Sequence, residues 1–205
     1  MKYRIITPDE YLTVPWKNGM GTTEELIVKY SPDHDNFIWR ISIAGVISDG
    51  PFSDFSGYDR TLLMLEGNGI GLNHSNGKRI ELRKPTDIAE FSGDVKTTAI
   101  LVNGMIKDFN VMALREKCTA LVEIVSGIEE IENDFNELLI YNHTADSTIE
   151  IGNSQLKLSQ MNLMHIIRKG FEKIKLSSNE AIVVKITYKY EKGRNNEKIS
   201  NILFA

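Results

Sequence analysis

Cysteine is nearly absent from this chain. Cys118 stands alone among 205 residues, so no internal disulfide can form, and a reducing compartment is the simple inference. No apolar run approaches the ~20 residues of a membrane span. The opening Met1-Lys2-Tyr3-Arg4-Ile5-Ile6-Thr7-Pro8 is too poor in apolar residues for a signal peptide. Both absences predict a cytoplasmic protein without a membrane partner. A strong charge of either sign is missing as well. The formal net charge of −4 argues against a general nucleic-acid or anionic-membrane surface. Histidine is scarce. His34, His74, His143 and His165 form no His-x-His or His-x3-His pair, so metal-ligand spacing is lacking and neither a metal nor another cofactor is predicted. His34 and His74 sit in turn-like stretches that predict exposed loops, and His143 and His165 belong to the other half of the chain. Gly67-Asn68-Gly69-Ile70-Gly71 lacks the Gly-x-Gly-x-x-Gly spacing and predicts a strand-turn-strand, not a phosphate loop.

Helical periodicity is weak throughout, and only Glu129-Glu130-Ile131-Glu132-Asn133-Asp134 suggests a single helical turn. What is present is strand signal. Residues 37–46 are rich in β-branched and aromatic residues and end at Ser48-Asp49-Gly50-Pro51, a strong turn. Because strand side chains alternate, Phe37, Trp39, Ile41 and Ile43 share a packing face, and Ile38, Arg40, Ser42 and Ala44 share a smaller, more polar one suited to a pocket wall. Further strands are predicted at 24–30, 60–66, 70–73, 97–102, 121–125, 138–142, 148–151, 155–158, 162–168 and 181–190. Many short strands at close spacing predict an all-β sandwich or barrel. The motif-dense part ends near Arg115, which divides the chain into 1–115 and 116–205. The polar stretch 191–198 precedes Ile199-Ser200-Asn201-Ile202-Leu203-Phe204, an edge-strand candidate.

Two clusters of mixed chemistry fall in the first third of the chain. In Pro15-Trp16-Lys17-Asn18-Gly19-Met20-Gly21-Thr22-Thr23-Glu24, Lys17 and Asn18 supply donors and the glycines let backbone approach a ligand. Glu24 would orient a donor. A structured loop in which Trp16 merely packs is the competing explanation. Arg40 lies mid-strand between Trp39 and Ile41, so it is expected to be buried. It then needs an acidic partner, with Asp59, Glu24 and Glu66 as candidates, or an anionic ligand. Arg60 either pairs locally with Asp59 or holds a carboxylate at a barrel mouth. Phe52 offers an apolar wall and Ser53 a hydroxyl. Gly-Pro-Phe-Ser-Asp is not the Gly-x-Ser-x-Gly elbow, so Ser53 is not read as a nucleophile.

Taken in order, Trp16-Lys17-Asn18-Gly19 with Gly21 and Glu24, Trp39-Arg40-Ile41-Ser42-Ile43-Ala44, Gly50-Pro51-Phe52-Ser53, Phe55-Ser56-Gly57-Tyr58-Asp59-Arg60, Leu65-Glu66-Gly67-Asn68-Gly69, Phe91-Ser92-Gly93-Asp94 and Asp108-Phe109-Asn110-Val111-Met112 resemble the HutD/Ves family. The resemblance is strong over about residues 10–115 and weak beyond. It implies a cupin-type double-stranded β-helix (jelly roll), with two barrel-like halves in one compact bicupin and a pocket in the N-terminal one. It also implies a link to histidine utilisation, as a regulator binding an intermediate such as formylglutamate, or in the Ves branch a link to environmental stress. The preferred expectation is a non-enzymatic binder of a small carboxylate, formylglutamate or urocanate being candidates. Its site would comprise Trp16, Lys17, Asn18, Glu24, Arg40, Ser42, Phe52, Ser53, Asp59 and Arg60, an apolar cup with convergent polar groups. A homodimer is left open. The alternative is a metal-independent isomerase or hydrolase acting on a small organic acid, with Lys17 or Asp59 as base and the arginines stabilising oxyanion charge.

Overall fold

A computed structural model describes residues 2–16, 21–32, 36–132, 134–170 and 173–189. Strands hold 66% of these residues, against roughly 20–25% in an average domain. They are β1 (Lys2–Ile6), β2 (Leu12–Pro15), β3 (Gly21–Tyr30), β4 (Phe37–Val46), β5 (Gly50–Pro51), β6 (Tyr58–Glu66), β7 (Ile70–His74), β8 (Arg79–Leu82), β9 (Ile88–Ser92), β10 (Thr97–Leu101), β11 (Ile106–Leu114), β12 (Cys118–Ile131), β13 (Glu137–Asn142), β14 (Ser147–Ile151), β15 (Ser154–Leu158), β16 (Leu163–Ile167) and β17 (Ile174–Tyr188). A 3-10 turn at Pro8–Glu10 is the one helical element among the described residues.

All strand pairs are antiparallel. A six-stranded sheet, β2-β3-β4-β11-β6-β9, and a four-stranded sheet, β5-β10-β7-β8, enclose a first interior containing Val46, Leu62, Met64, Ile70, Leu72 and Ile106. A seven-stranded sheet, β1-β16-β13-β17-β14-β15 with β12 also paired to β17, wraps a second interior of Leu138, Ile140, Ile149, Leu158, Met164 and Leu176. The long strands β12 and β17 run through both layers of this unit. A register shift between Val125 and Gly127 marks the bend, as bulges do where a sheet turns a corner. The outer faces of the six- and seven-stranded sheets pack on each other through Trp39, Ile41, Phe109, Leu139, Tyr141 and Val184.

The alternation read in 37–46 is observed from Trp39 onward; a register shift against β3 breaks it before that, so Ile38 packs on the seam and Phe37 lies against Arg40. Trp39 and Ile41 are fully buried in the seam between the units, and Arg40, Ser42 and Ala44 occupy the opposite face. Two expectations are corrected. Glu129, Glu130 and Ile131 continue β12 and do not form a helical turn, because each pairs with β17 and Ile131 is buried. Strands β1, β2, β5, β8, β9 and β11 were not predicted, and β5 stands where a turn was expected. Strand β11, the centre of the six-stranded sheet, carries Asp108 and Asn110, residue types depleted in strands. Strand β1 pairs with β16, so the chain starts in the sheet built mainly from residues 118–188. The stretch 191–204 lies outside the described residues.

Candidate functional site

Antiparallel register decides which side chains share the first interior, since directly paired residues project to the same side of a sheet. Arg40 on β4 and Arg60 on β6 both pair with Met112 on β11, and Phe91 on β9 extends this row beyond Arg60. The next row is Glu25, Ser42, Asn110, Leu62 and Ala89. The one after is Thr23, Ala44, Asp108 and Met64. Two cations, two carboxylates and an amide therefore project from one face of the six-stranded sheet.

Aromatic rings clasp the two guanidinium groups. Arg40 Cζ lies 5.0 Å from the Phe37 ring centroid and 5.2 Å from that of Phe55. Arg60 Cζ lies 5.0 Å from Phe52, 5.6 Å from Phe55 and 5.1 Å from Phe91. Phe55 thus contacts both cations, and each such contact contributes roughly 0.5–2 kcal/mol when desolvated. Phe55 is positioned by its loop. A Cβ on Gly93 would approach the Phe55 carbonyl oxygen to 2.2 Å, so only glycine permits this approach. Asp94 accepts the Gly57 N–H at 2.7 Å, and Arg115 bridges Asp94 and Asp59 at 2.8 and 2.7 Å.

The electrostatics are unbalanced. Arg60 is 6% exposed, and among the described residues no carboxylate lies within the 4.0 Å of an ion pair. Burial pulls its pKa down to about 10, with Asp108 opposing and Arg40 adding to the fall. Burial also lowers Arg40, against the pull of Glu25. Asp108 is 1% exposed, and burial pushes its pKa up to about 7 although Arg60 pulls it down. The buried atoms Arg40 Nε, Arg60 Nε, Asp108 Oδ1 and Asn110 Oδ1 have no hydrogen-bond partner among the described residues. Leaving a buried polar group unsatisfied costs ~1–3 kcal/mol, more when it is charged. Four such atoms on adjoining rows are the expected signature of a site built to be completed from outside the protein.

The structure brings together Arg40, Ser42, Phe52 and Arg60 from the predicted set. Trp16 packs partly buried against the same interior and donates its indole N–H to Thr23 Oγ1 at 2.8 Å. Lys17 and Asn18 lie outside the described residues. Glu24 points away from the row. It pairs with Ile43, and its charge acts on Tyr11 and Tyr141 in the seam. Its neighbour Glu25 faces inward instead. Ser53 is exposed. Asp59 alternates to the outer face and binds Arg115, and Glu66 meets Lys107 at 3.2 Å and His143 at 3.4 Å. The acids near the arginines are therefore Glu25 and Asp108. The structure also adds Phe37, Phe55, Phe91 and Asn110. A signal for Asp108 and Asn110 was available: they alternate with Phe109 and Val111, so one face of that segment is apolar and the other polar.

His74 does not lie in an exposed loop. It ends β7, is buried and meets Thr97, because its strand parity matches that of Ile70 and Leu72. His34 lies outside the described residues. His165 bonds Glu137 at 2.5 Å in the seam. Among the described residues no three His, Cys, Asp or Glu side chains converge as metal ligands. A cleft of about 500 Å³ on the second unit is lined by groups such as Ser147, Thr148, Lys157, Ser177 and Asn179. Its cation Lys157 is already paired with Asp146 at 2.6 Å. No helix among the described residues is long and apolar enough to cross a membrane.

Comparison with known proteins bears on this geometry. An uncharacterized 21.2 kDa protein in the hutC 3' region of Pseudomonas putida is 29% identical over 165 residues, covering 80% of this chain and 85% of that protein. Protein Ves of Citrobacter koseri is 36% identical over 110 residues, 53% of this chain and 56% of that protein. The solved structure of HutD from Pseudomonas fluorescens SBW25 is 26% identical and superposes with a TM-score of 0.82 over 92% of this chain and all of that one. A cupin 2 conserved barrel domain protein from Leptotrichia buccalis, 7% identical, superposes with a TM-score of 0.55 over 86% of this chain and 92% of that one. The latter likeness concerns the fold alone and agrees with a cupin-type barrel. The family model for HutD matches residues 8–184, and the chain belongs to the HutD family.

Proposed function

We propose that the first unit binds a small carboxylate without transforming it, and that the protein acts in the cytoplasm as a ligand-responsive regulator. The observation that carries this reading is the pair Arg40, half-buried, and Arg60, buried, held between phenylalanine rings with no carboxylate within ion-pair distance among the described residues. Guanidinium groups present planar, rigid donors that match a carboxylate. The rings form apolar walls around them, as small-ligand sites require. The relative from the hutC 3' region and the HutD structure support histidine utilisation as the setting, with formylglutamate and urocanate as candidate ligands. That HutD structure was obtained in a formate condition. The similarity to Ves keeps a stress-related role as the other branch. In this reading two cupin units are fused and only the first, within residues 1–115, carries a ligand.

One observation favours a second reading. A buried aspartate with a pKa of about 7 beside an arginine is poised for proton transfer at neutral pH. A metal-independent isomerase or hydrolase would use Asp108 as its base and the arginines to hold charge.

Calorimetric titration with formylglutamate, urocanate and glutamate tests both readings. Binding is expected to weaken about 10- to 100-fold in Arg40→Met and in Arg60→Met, since a charge-assisted contact contributes ~1.5–3 kcal/mol. Affinity unchanged in both variants rules out the carboxylate site. Proton NMR of each acid incubated with the protein should show no new species. Turnover lost in Asp108→Asn would establish the enzymatic reading.

A further inference from the structure

The first interior holds one more unpartnered group, away from the arginine row. His74 ends β7 and is 7% exposed. Its cross-strand partner on β10 is Thr97, 4% exposed. His74 Nδ1 lies 2.8 Å from Thr97 Oγ1, and Thr97 Oγ1 lies 3.0 Å from the Val95 carbonyl oxygen. A hydroxyl has one hydrogen, and a carbonyl can only accept. With the Thr97 hydrogen on the Val95 carbonyl, Oγ1 faces the imidazole as an acceptor and Nδ1 carries the ring proton. Burial, with Lys78 nearby, holds the imidazole pKa below its ordinary value, so the ring is neutral at pH 7. His74 Nε2 is then a bare lone pair, buried and without a hydrogen-bond partner among the described residues.

The His74 ring adjoins the arginine row through Phe91. The His74 ring centroid lies 5.2 Å from that of Phe91, and the Phe91 centroid lies 5.1 Å from Arg60 Cζ. The imidazole and the guanidinium are one aromatic ring apart. Two hydrogen bonds of ~2.9 Å and the backbone of a small molecule are enough to join them.

We propose that His74 determines ligand specificity: Nε2 accepts a hydrogen bond from an N–H on a ligand whose carboxylate is held by Arg40 and Arg60. The site then selects acids carrying such a donor over isosteres that lack it. This rests on the carboxylate reading above. A site built to hydrogen-bond one polar group rejects the analogue without it, because the protein's own buried atom is left unpaired.

N-acetylglycine and acetoxyacetic acid serve as probes, since they differ only by N–H against O. Calorimetry on the full chain should give about tenfold tighter binding of N-acetylglycine, equivalent to about 1.4 kcal/mol. In His74→Phe, which keeps an aromatic ring against Phe91, the preference should fall within about twofold while acetoxyacetic acid binds at least as tightly as before. In the unsubstituted protein, nitrogen-15 NMR should show an unprotonated Nε2 whose resonance moves with N-acetylglycine and not with acetoxyacetic acid. A preference equal in both proteins, no preference in either, or an Nε2 resonance unmoved at N-acetylglycine saturation overturns the assignment. That result is distinct from failure of the carboxylate reading, in which neither acid binds and Arg60→Met changes nothing. The latter result overturns both.

Discussion

Asp108 in the first unit and Glu137 in the second are both buried carboxylates, 1% and 2% exposed, yet their surroundings differ. Both Glu137 oxygens are used. The Tyr188 hydroxyl donates to Oε1 and itself accepts the Trp39 indole N–H at 3.0 Å, and His165 bonds Oε2 at 2.5 Å. Asp108 Oδ1 has no partner among the described residues. The interiors repeat the contrast. The second is filled by Leu138, Ile140, Leu158, Ile166 and Val183 around the amide of Asn142, and the first mixes Leu62, Met64 and Leu72 with the charged and polar Arg60, Asp108, Asn110, Ser42 and His74. The same architecture thus serves as a packed core in one unit and as a site in the other. A fully satisfied buried acid fastens the seam between the units. A partly satisfied one marks where the fold retains polar groups at a cost to stability.

Truncation of the apolar interior should break this comparison most visibly. Leu138→Ala removes a fully buried side chain and is expected to cost ~2–5 kcal/mol by chemical denaturation, with small-acid affinity unchanged. Loss of affinity in a folded Leu138→Ala protein would show that the second interior shapes the site.

The pH dependence of stability comes next. Asp108 has a folded pKa of about 7 against an ordinary 3.8, so the folded state holds its proton more tightly than the unfolded state. The resulting stabilisation is fully present below about pH 4 and is lost as pH rises through about 7, by as much as ~4 kcal/mol. Denaturation midpoints measured across that window should fall with pH, and Asp108→Asn should flatten the trend. Anion binding beside Asp108 should also favour its protonated form, so small acids that remain ionised should bind more tightly at pH 6 than at pH 8.

Arg60→Met should separate function from stability. Binding is expected to drop by ~1.5–3 kcal/mol, with the melting temperature unchanged or raised, because a buried cation without an ion-pair partner gives way to an apolar chain. A large fall in melting temperature would make Arg60 a structural residue like Glu137. The smallest effect is expected at Asp59, whose side chain is 54% exposed in its pair with Arg115. Asp59→Asn should cost at most ~1 kcal/mol and leave calorimetric affinity unchanged.

The β class and the packing face that holds Trp39, Ile41 and Ile43 were legible because they depend on local alternation and residue type. Glu24 was taken for Glu25 because a strand's parity tells which residues share a face, not which face turns inward. Asp108 was not picked out as a site residue because the segment around it was not recognised as a strand. His74 was mistaken for a loop residue because Asn73, Ser75 and Asn76 give a turn signal that begins just before β7 ends.

The sequence by itself determined that strands would form, that Arg40 and Ser42 would oppose Trp39 and Ile41, and that no disulfide would hold the units together. These follow from a period of two and from the count of one cysteine. Only the tertiary structure decided that β11 inserts between β4 and β6, placing Met112 beside both arginines and Asp108 and Asn110 on the adjoining rows. Strand β11 is distant in sequence from β4 and β6, and the register of the three is set by which faces the two units bury against each other. No local preference encodes that choice, so the acids, amide and aromatic rings around the two cations emerge only when the sheets close.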